Sequence, residues 1–276
     1  MVIDYKITGA CNENCKFCWD FCKNQQPKNI ENIKHALYAI RSAGIKILSL
    51  TGGEPLCYPK IDEVLRYSFN IGLKIYLSTN GLLLDKHIET ISRTVTLIGL
   101  PLDSHNDLLD MGRKQGMVTQ TSNNISMIRK KNQNIKIKIG TVLSKKNKKD
   151  VLKIGSLLFN SPYPPDNWRV YQFTPMGNSI NYADDFYIND NCFNLIASEL
   201  YKKFEEKVSF LSSKDVNDSY VFITPHLDLC TIKKGKQKTI CNLYCCTNND
   251  LNRIFQDIKI KKISLKHRKH LAESMH

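Results

Sequence analysis

Three cysteines within eight residues, Cys11-Asn-Glu-Asn-Cys15-Lys-Phe-Cys18, are the part of this chain whose residue types and spacing most plainly specify chemistry. Thiolates are soft ligands that suit iron-sulfur clusters and zinc, and one compact loop can wrap three of them around a single site. Structural zinc and electron-transfer 4Fe-4S clusters normally take four protein ligands, so three leave one coordination position open to a substrate or cofactor. A further thiol, Cys22, follows Cys18 closely, and ligation by it would close that position. None of the seven histidines forms a ligand-spaced pair near the loop.

The spacing Cys-x3-Cys-x2-Cys, with the aromatic Phe17 just before the last cysteine, resembles the defining motif of the radical S-adenosylmethionine (SAM) superfamily. That resemblance implies that Cys11, Cys15 and Cys18 hold a 4Fe-4S cluster, with Cys22 a bystander and Phe17 near the adenine of bound S-adenosyl-L-methionine. It implies reductive cleavage of S-adenosyl-L-methionine to a 5′-deoxyadenosyl radical that takes hydrogen from a substrate, fed by an electron donor of the flavodoxin or ferredoxin type. The protein would orient and shield the reactive species, since the difficult chemistry belongs to the cofactors.

Further segments carry the same resemblance. Thr51-Gly52-Gly53-Glu54-Pro55 is similar to the superfamily's Gly-Gly-Glu-Pro motif. There the glycines would let backbone carbonyls approach the methionine ammonium, and the Glu54 carboxylate would pair with it. Leu77-Ser78-Thr79-Asn80-Gly81 resembles a Thr-Asn-Gly segment that seats the cofactor, which points to Ser78 and Asn80. An ordinary Asn-Gly turn is the alternative. Asp103 closes the next expected strand, where relatives often carry serine in place of Pro101, and Arg113 matches an arginine that in some relatives forks onto the methionine carboxylate.

For the substrate, the run from Asn167 to Asn178 resembles that of viperin-like members, related to the MoaA-like ones, which have Trp-Lys-Val-Phe-Gln here and dehydrate nucleoside triphosphates. Arg169 replaces the lysine, while Trp168 and Phe173 also fit plain strand packing. Asp218-Ser219-Tyr220-Val221-Phe222-Ile223 is similar to a Ser-Tyr-Leu segment of the same members. The reading is a small nucleotide substrate. A peptide substrate is the alternative, since peptide-maturing members commonly carry further clusters and Cys230, Cys241, Cys245 and Cys246 could supply one. Their spacing argues against it, because adjacent cysteines do not easily face one metal. Cys57 and Cys192 read as ordinary buried thiols. RNA modification would suit the net charge of +14, but no RNA-binding module is recognisable. A metal-binding protein without catalysis would have no use for the Gly-Gly-Glu-Pro cradle.

The elements that must position these residues read as repeated strand and helix units. Strands are expected at Val2 to Ile7, Ile45 to Leu50, Lys74 to Ser78, Val95 to Leu100, Ile135 to Val142 and Trp168 to Phe173. Helical periods fall at Ile33 to Ala43, Ile61 to Asn70, Lys86 to Ser92, Thr121 to Lys131 and Val151 to Phe159, with Gly44 and Gly72 as helix-ending glycines. Such alternation demands a parallel sheet and fits an open sheet and a partial barrel alike. The resemblance selects an α/β fold, a partial (βα)6 TIM-like barrel of the radical SAM type over residues 1–178. Residues 179–276 form a small C-terminal extension with a helix at Cys192 to Lys207, strands at Tyr220 to Thr224 and Leu229 to Ile232, and a basic tail from Lys259 to Lys269 that includes His267. His270 follows.

With 276 residues, 42% of them apolar, the chain can bury a large core without staples. The lysines are spread along its length and read as solvated surface. No apolar run is long enough to cross a bilayer and Met1 to Ala10 lacks the zones of a signal peptide, so a soluble, cytoplasmic protein with no membrane partner is expected.

Overall fold

A computed structural model describes residues 2–107, 112–215, 220–233 and 236–260. The motif residues Asp218 and Ser219 and the tail residues 261–276, with His267 and His270, lie outside the described residues. Strands β1 (Val2–Lys6), β2 (Ile47–Thr51), β3 (Lys74–Ser78), β4 (Val95–Pro101), β5 (Lys136–Leu143) and β6 (Asn167–Gln172) alternate with helices α1 (Ile30–Ser42), α2 (Ile61–Asn70), α3 (Leu84–Thr94), α4 (Met117–Lys131) and α5 (Val151–Phe159). After them come α6 (Ala183–Phe186), α7 (Asp190–Phe204), β7 (Val208–Leu211), β8 (Val221–Ile223), β9 (Asp228–Lys233), β10 (Lys236–Asn242) and α8 (Asn248–Ile260).

Local chemistry explains these elements. In α1, Ile30, Ile33, Ala36, Leu37 and Ile40 recur at helical spacing and are all buried, while the Asn29 side chain accepts a hydrogen bond from Asn32 N at 2.9 Å to cap the start. That cap places the helix start three residues ahead of the apolar period from which it is read in the sequence. Gly44 and Gly72 take φ of 83° and 78°, the left-handed turn by which a helix stops before the next strand.

The strands form one sheet in the order β10-β9-β8-β1-β2-β3-β4-β5-β6-β7, parallel from β8 through β7, with β9 and β10 antiparallel at one edge. Strands β1 to β6 are neighbours in chain order, the arrangement expected of the six units. β7 is one of four elements absent from the sequence reading, with α6, β10 and α8. It begins just after Glu205, whose φ of 52° breaks α7, and its four residues are too short to show an alternation. The residues that follow Asn178 therefore add strands to both edges of the sheet. Side chains from β1 to β6, together with Leu211 of β7 and Tyr220 beside β8, line a single cavity, so the sheet curls around it as a partial barrel. Its outer face packs on the helices through Leu48, Leu50, Ile98, Ile139, Trp168 and their neighbours. Among the described residues no helix is long and apolar enough to cross a membrane.

Candidate active site

The cavity opens among the loops that follow the parallel strands and has a volume of about 430 Å³. Open parallel sheets and barrels build their sites at this end because every strand delivers a loop there. Cys11, Cys15, Phe17, Cys18, Gly52, Gly53, Glu54, Ser78, Asn80, Asp103 and Arg113 all line it. Pro55 does not. It starts the short 3-10 turn Pro55–Cys57, is buried, and sets the exit of the chain from the cradle.

Backbone pairing carries the cysteine loop across from β1 to β2. Gly53 N donates to Thr8 O and Glu54 N donates to Ala10 O, both at 2.7 Å. A Cβ on Gly52 would lie 2.5 Å from Thr8 O, and one on Gly53 would lie 2.3 Å from Ala10 O. Both glycines are thus required by the close approach of two backbones, a role that precedes any contact with a ligand.

Glu54 is the hub of the next layer. Its side chain is buried and accepts from Thr79 Oγ1 at 2.6 Å, Asn80 N at 2.7 Å and Leu56 N at 3.0 Å. Burial pushes its pKa up to about 7 in spite of those donors. Asn80 turns its amide the other way, donating to Asn12 Oδ1 of the cysteine loop at 2.6 Å. Asp103, equally buried, accepts from Val142 N at 2.7 Å and from Arg113 Nε at 2.6 Å. Arg113 also donates through Nη1 to Glu13 Oε2 at 2.9 Å and lies 4.9 Å from the centre of the Phe17 ring. Its guanidinium is therefore shared between two carboxylates of the chain, a partnership that the resemblance does not imply.

The thiols of the loop are held protonated by burial, which pushes Cys11 up to about 11 and Cys15 up to about 12. A bound cation would have to displace those protons. Cys22 does not line the cavity, though its neighbours Met176 and Tyr220 do. It is fully buried in an apolar cluster with Met176, Tyr220, Phe222 and Cys230. Cys241 and Cys246 pack instead against the main core within hydrogen-bonding reach of each other, and Cys245 is exposed, so the four C-terminal cysteines do not all meet at one point.

Sequence reading left Lys6 and Lys138 unassigned and met Arg169 only as the replacement for a lysine of the viperin-like run. Lys6 on β1 pairs with Asp20 of the cysteine loop at 2.7 Å, and both side chains are about nine-tenths buried. Lys138 on β5 and Arg169 on β6 lie deeper along their strands, 6% and 1% exposed. Lys138 Nζ lies 3.1 Å from Tyr171 Oη and 4.6 Å from the centre of the Tyr76 ring. Arg169 Nε has no hydrogen-bond partner among the described residues. The available signal was period two: Lys138 and Gly140 share one face of β5, and Arg169, Tyr171 and Phe173 follow one another on the cavity side of β6. Trp168 faces the helices, where Nε1 donates to Thr141 Oγ1 at 2.8 Å.

The family model of the radical SAM superfamily matches residues 5–158. The chain belongs to that superfamily, and it is an enzyme of the radical SAM class. It is 27% identical over 251 residues to the S-adenosylmethionine-dependent nucleotide dehydratase of Psychrobacter lutiphocae, a match covering 82% of this chain and 80% of that protein. It is 30% identical over 162 residues to the AdoMet-dependent heme synthase of Methanosarcina barkeri, covering 55% of this chain but 45% of that protein. Among solved structures, anSMEcpe with bound AdoMet aligns with a TM-score of 0.72 at 14% identity, over 95% of this chain and 83% of that one. SuiB of Streptococcus suis bound to precursor peptide SuiA aligns with a TM-score of 0.69 at 16% identity, over 92% of this chain and 64% of that one. At such identities the two structures speak for the fold.

The residues present fit the cofactors that the superfamily implies. Three soft thiols face one cavity, and Glu13 N donates to Cys11 Sγ at 3.4 Å, a backbone bond of the kind that stabilises a thiolate. Among the described residues no three Cys, His, Asp or Glu side chains converge on one ion. A cluster asks for a different arrangement, one thiolate on each of three irons.

Proposed function

We propose that the chain holds a 4Fe-4S cluster on Cys11, Cys15 and Cys18 and S-adenosyl-L-methionine against Gly52, Gly53, Glu54, Ser78 and Asn80, and acts on a phosphorylated nucleotide. The observation that carries the substrate is the pair of buried cations, Lys138 and Arg169, in the same cavity as the three thiols. Relatives named as nucleotide dehydratases support it.

Bound together, the two cofactors supply reductive cleavage to a 5′-deoxyadenosyl radical, with the electron drawn from a flavodoxin- or ferredoxin-type donor. The chain's own residues bind and shield. Burial works against the charge of Lys138, but the Tyr171 and Tyr76 oxygens outweigh it and keep the ammonium protonated. Burial alone would raise Tyr171, and the charges of Lys138 and Arg169 bring it below the usual phenol range. Lys138 and Arg169 outnumber the one buried carboxylate beside them among the described residues, Asp4, and this desolvated end of the cavity with an unpaired guanidinium Nε suits phosphate oxygens, which accept from a planar fork of donors. Phe17, packed near Phe186 and Phe173, closes the apolar side near the cysteines and keeps water from it.

Anaerobic reconstitution with iron and sulfide should give about four irons per chain and, with a reductant, 5′-deoxyadenosine. Incubation with each ribonucleoside triphosphate should then yield a product lighter by one water, with Arg169→Met raising KM for it. Zinc alone in the loop, or no cleavage, defeats the cofactor reading. Cleavage that no nucleotide stimulates defeats the substrate reading.

A further inference from the structure

Glu13 stands between the first two cysteines, at a position the motif leaves open. Its side chain is 1% exposed, and each oxygen has a partner on the loop after β4: Oε2 accepts from Arg113 Nη1 at 2.9 Å and Oε1 from Lys114 N at 3.2 Å. The same residue touches both flanking thiols. Its backbone N–H donates to Cys11 Sγ at 3.4 Å, and Cys15 Sγ, as the metal-free thiol, donates to Oε2 at 3.7 Å. Arg113 is fixed in turn by Asp103 at 2.6 Å, and a Cβ on neighbouring Gly112 would lie 2.9 Å from Lys16 N, so the two loops are in tight contact.

We propose that Glu13 is a positioning residue for the cysteine loop, clasped by Arg113 so that Cys11 and Cys15 keep their spacing, and that its carboxylate makes the bound cluster harder to reduce. The proposal rests on the cluster reading above. A negative charge beside a group that gains an electron opposes the gain, and burial leaves that effect poorly screened. Arg113 offsets one carboxylate, but it is shared by two, so the trio of Glu13, Arg113 and Asp103 carries a net negative charge. Arg113 thereby serves the loop before it serves any carboxylate of the cofactor. Glu13 changes no bond in the reaction; it sets where the thiols stand and how readily the electron arrives.

The test uses the full chain, reconstituted anaerobically with iron and sulfide, as wild type, Glu13→Gln and Glu13→Asp. Cluster potentials are read by redox titration followed by electron paramagnetic resonance. Glu13→Gln keeps the size and loses the charge, and should move the potential upward by at least a tenfold change in the oxidised-to-reduced equilibrium, about 59 mV for one electron. Glu13→Asp keeps the charge and should stay near wild type. Equal potentials for wild type and Glu13→Gln overturn the proposal, as does an equal shift in Glu13→Asp. Should Glu13→Gln take up no cluster, iodoacetamide labelling of the metal-free proteins decides. At least tenfold faster alkylation of Cys11 and Cys15 than in wild type upholds the clasp, and unchanged rates overturn it. A wild-type chain that takes up no iron removes the cluster reading and the proposal with it, an outcome that iron content alone distinguishes.

Discussion

Replacing Glu54 by glutamine isolates the cost of keeping a carboxylate at the centre of the cradle. The side chain is 1% exposed, and burial raises its pKa from 4.5 to about 7 against three donors that act in the opposite direction. A carboxyl whose folded pKa lies above its unfolded value binds more protons when folded. The contribution of Glu54 to stability is therefore greatest below the unfolded value of 4.5 and declines as pH rises through the folded value of about 7. At 1.36 kcal/mol for each pKa unit, the loss is about 3 kcal/mol. Glutamine does not titrate, and its volume and one carbonyl oxygen are retained, so the wild-type stability minus that of Glu54→Gln should fall by this amount across the same range. Urea unfolding of the reduced, metal-free chain between about pH 4.5 and about pH 8 measures it. A difference that stays flat with pH refutes the reasoning. The same linkage bears on the ligand: an ammonium group near Glu54 favours the ionised carboxylate, so S-adenosyl-L-methionine binding at about pH 6 should release a proton. Calorimetry in buffers of unlike ionisation heat detects that release.

Cys22→Ala should leave iron uptake intact and cost about 1–2 kcal/mol of stability, because the thiol packs among Met176, Tyr220 and Phe222 and does not line the cavity, whereas Cys18→Ala should abolish uptake. Iron and sulfide analysis checks both, and loss of the cluster in both would mean a ligand set of four. Gly53→Ala forces its Cβ to within 2.3 Å of Ala10 O, so it should displace the cysteine loop, lower iron uptake and cost about 1–3 kcal/mol. Gly116→Ala, which meets nothing within 4 Å but takes φ of 81°, should cost about 1 kcal/mol and leave uptake unchanged. Trp168→Phe removes the 2.8 Å bond to Thr141 Oγ1 on the helix side of β6, and a urea titration should show a loss of about 1–2 kcal/mol with nucleotide KM unaltered.

Much of the fold is legible because it depends on neighbours in the chain. The strands β1 to β6 announce themselves as short apolar runs between helical periods, and Gly44 and Gly72 mark the helix ends by a backbone conformation that side chains resist. The edges are less legible. β7 is too short for a pattern, and nothing local says that β8 pairs with β1 while β7 pairs with β6 at the far edge.

The cysteine loop and the Gly-Gly-Glu-Pro turn carry their chemistry in residue type and short spacing, so the sequence by itself determined the class of enzyme and pointed to the three thiols proposed as cluster ligands. The burial of Cys22 against Tyr220 and Phe222, its absence from the cavity lining, and the meeting of Glu13 with Arg113 and of Lys138 with Arg169 were decided by tertiary structure alone. The physical reason is that charge pairing and desolvation act through space. Glu13 and Arg113 stand 100 positions apart in the chain and 2.9 Å apart in the fold, where neither side chain can satisfy its charge with water as readily as with the other.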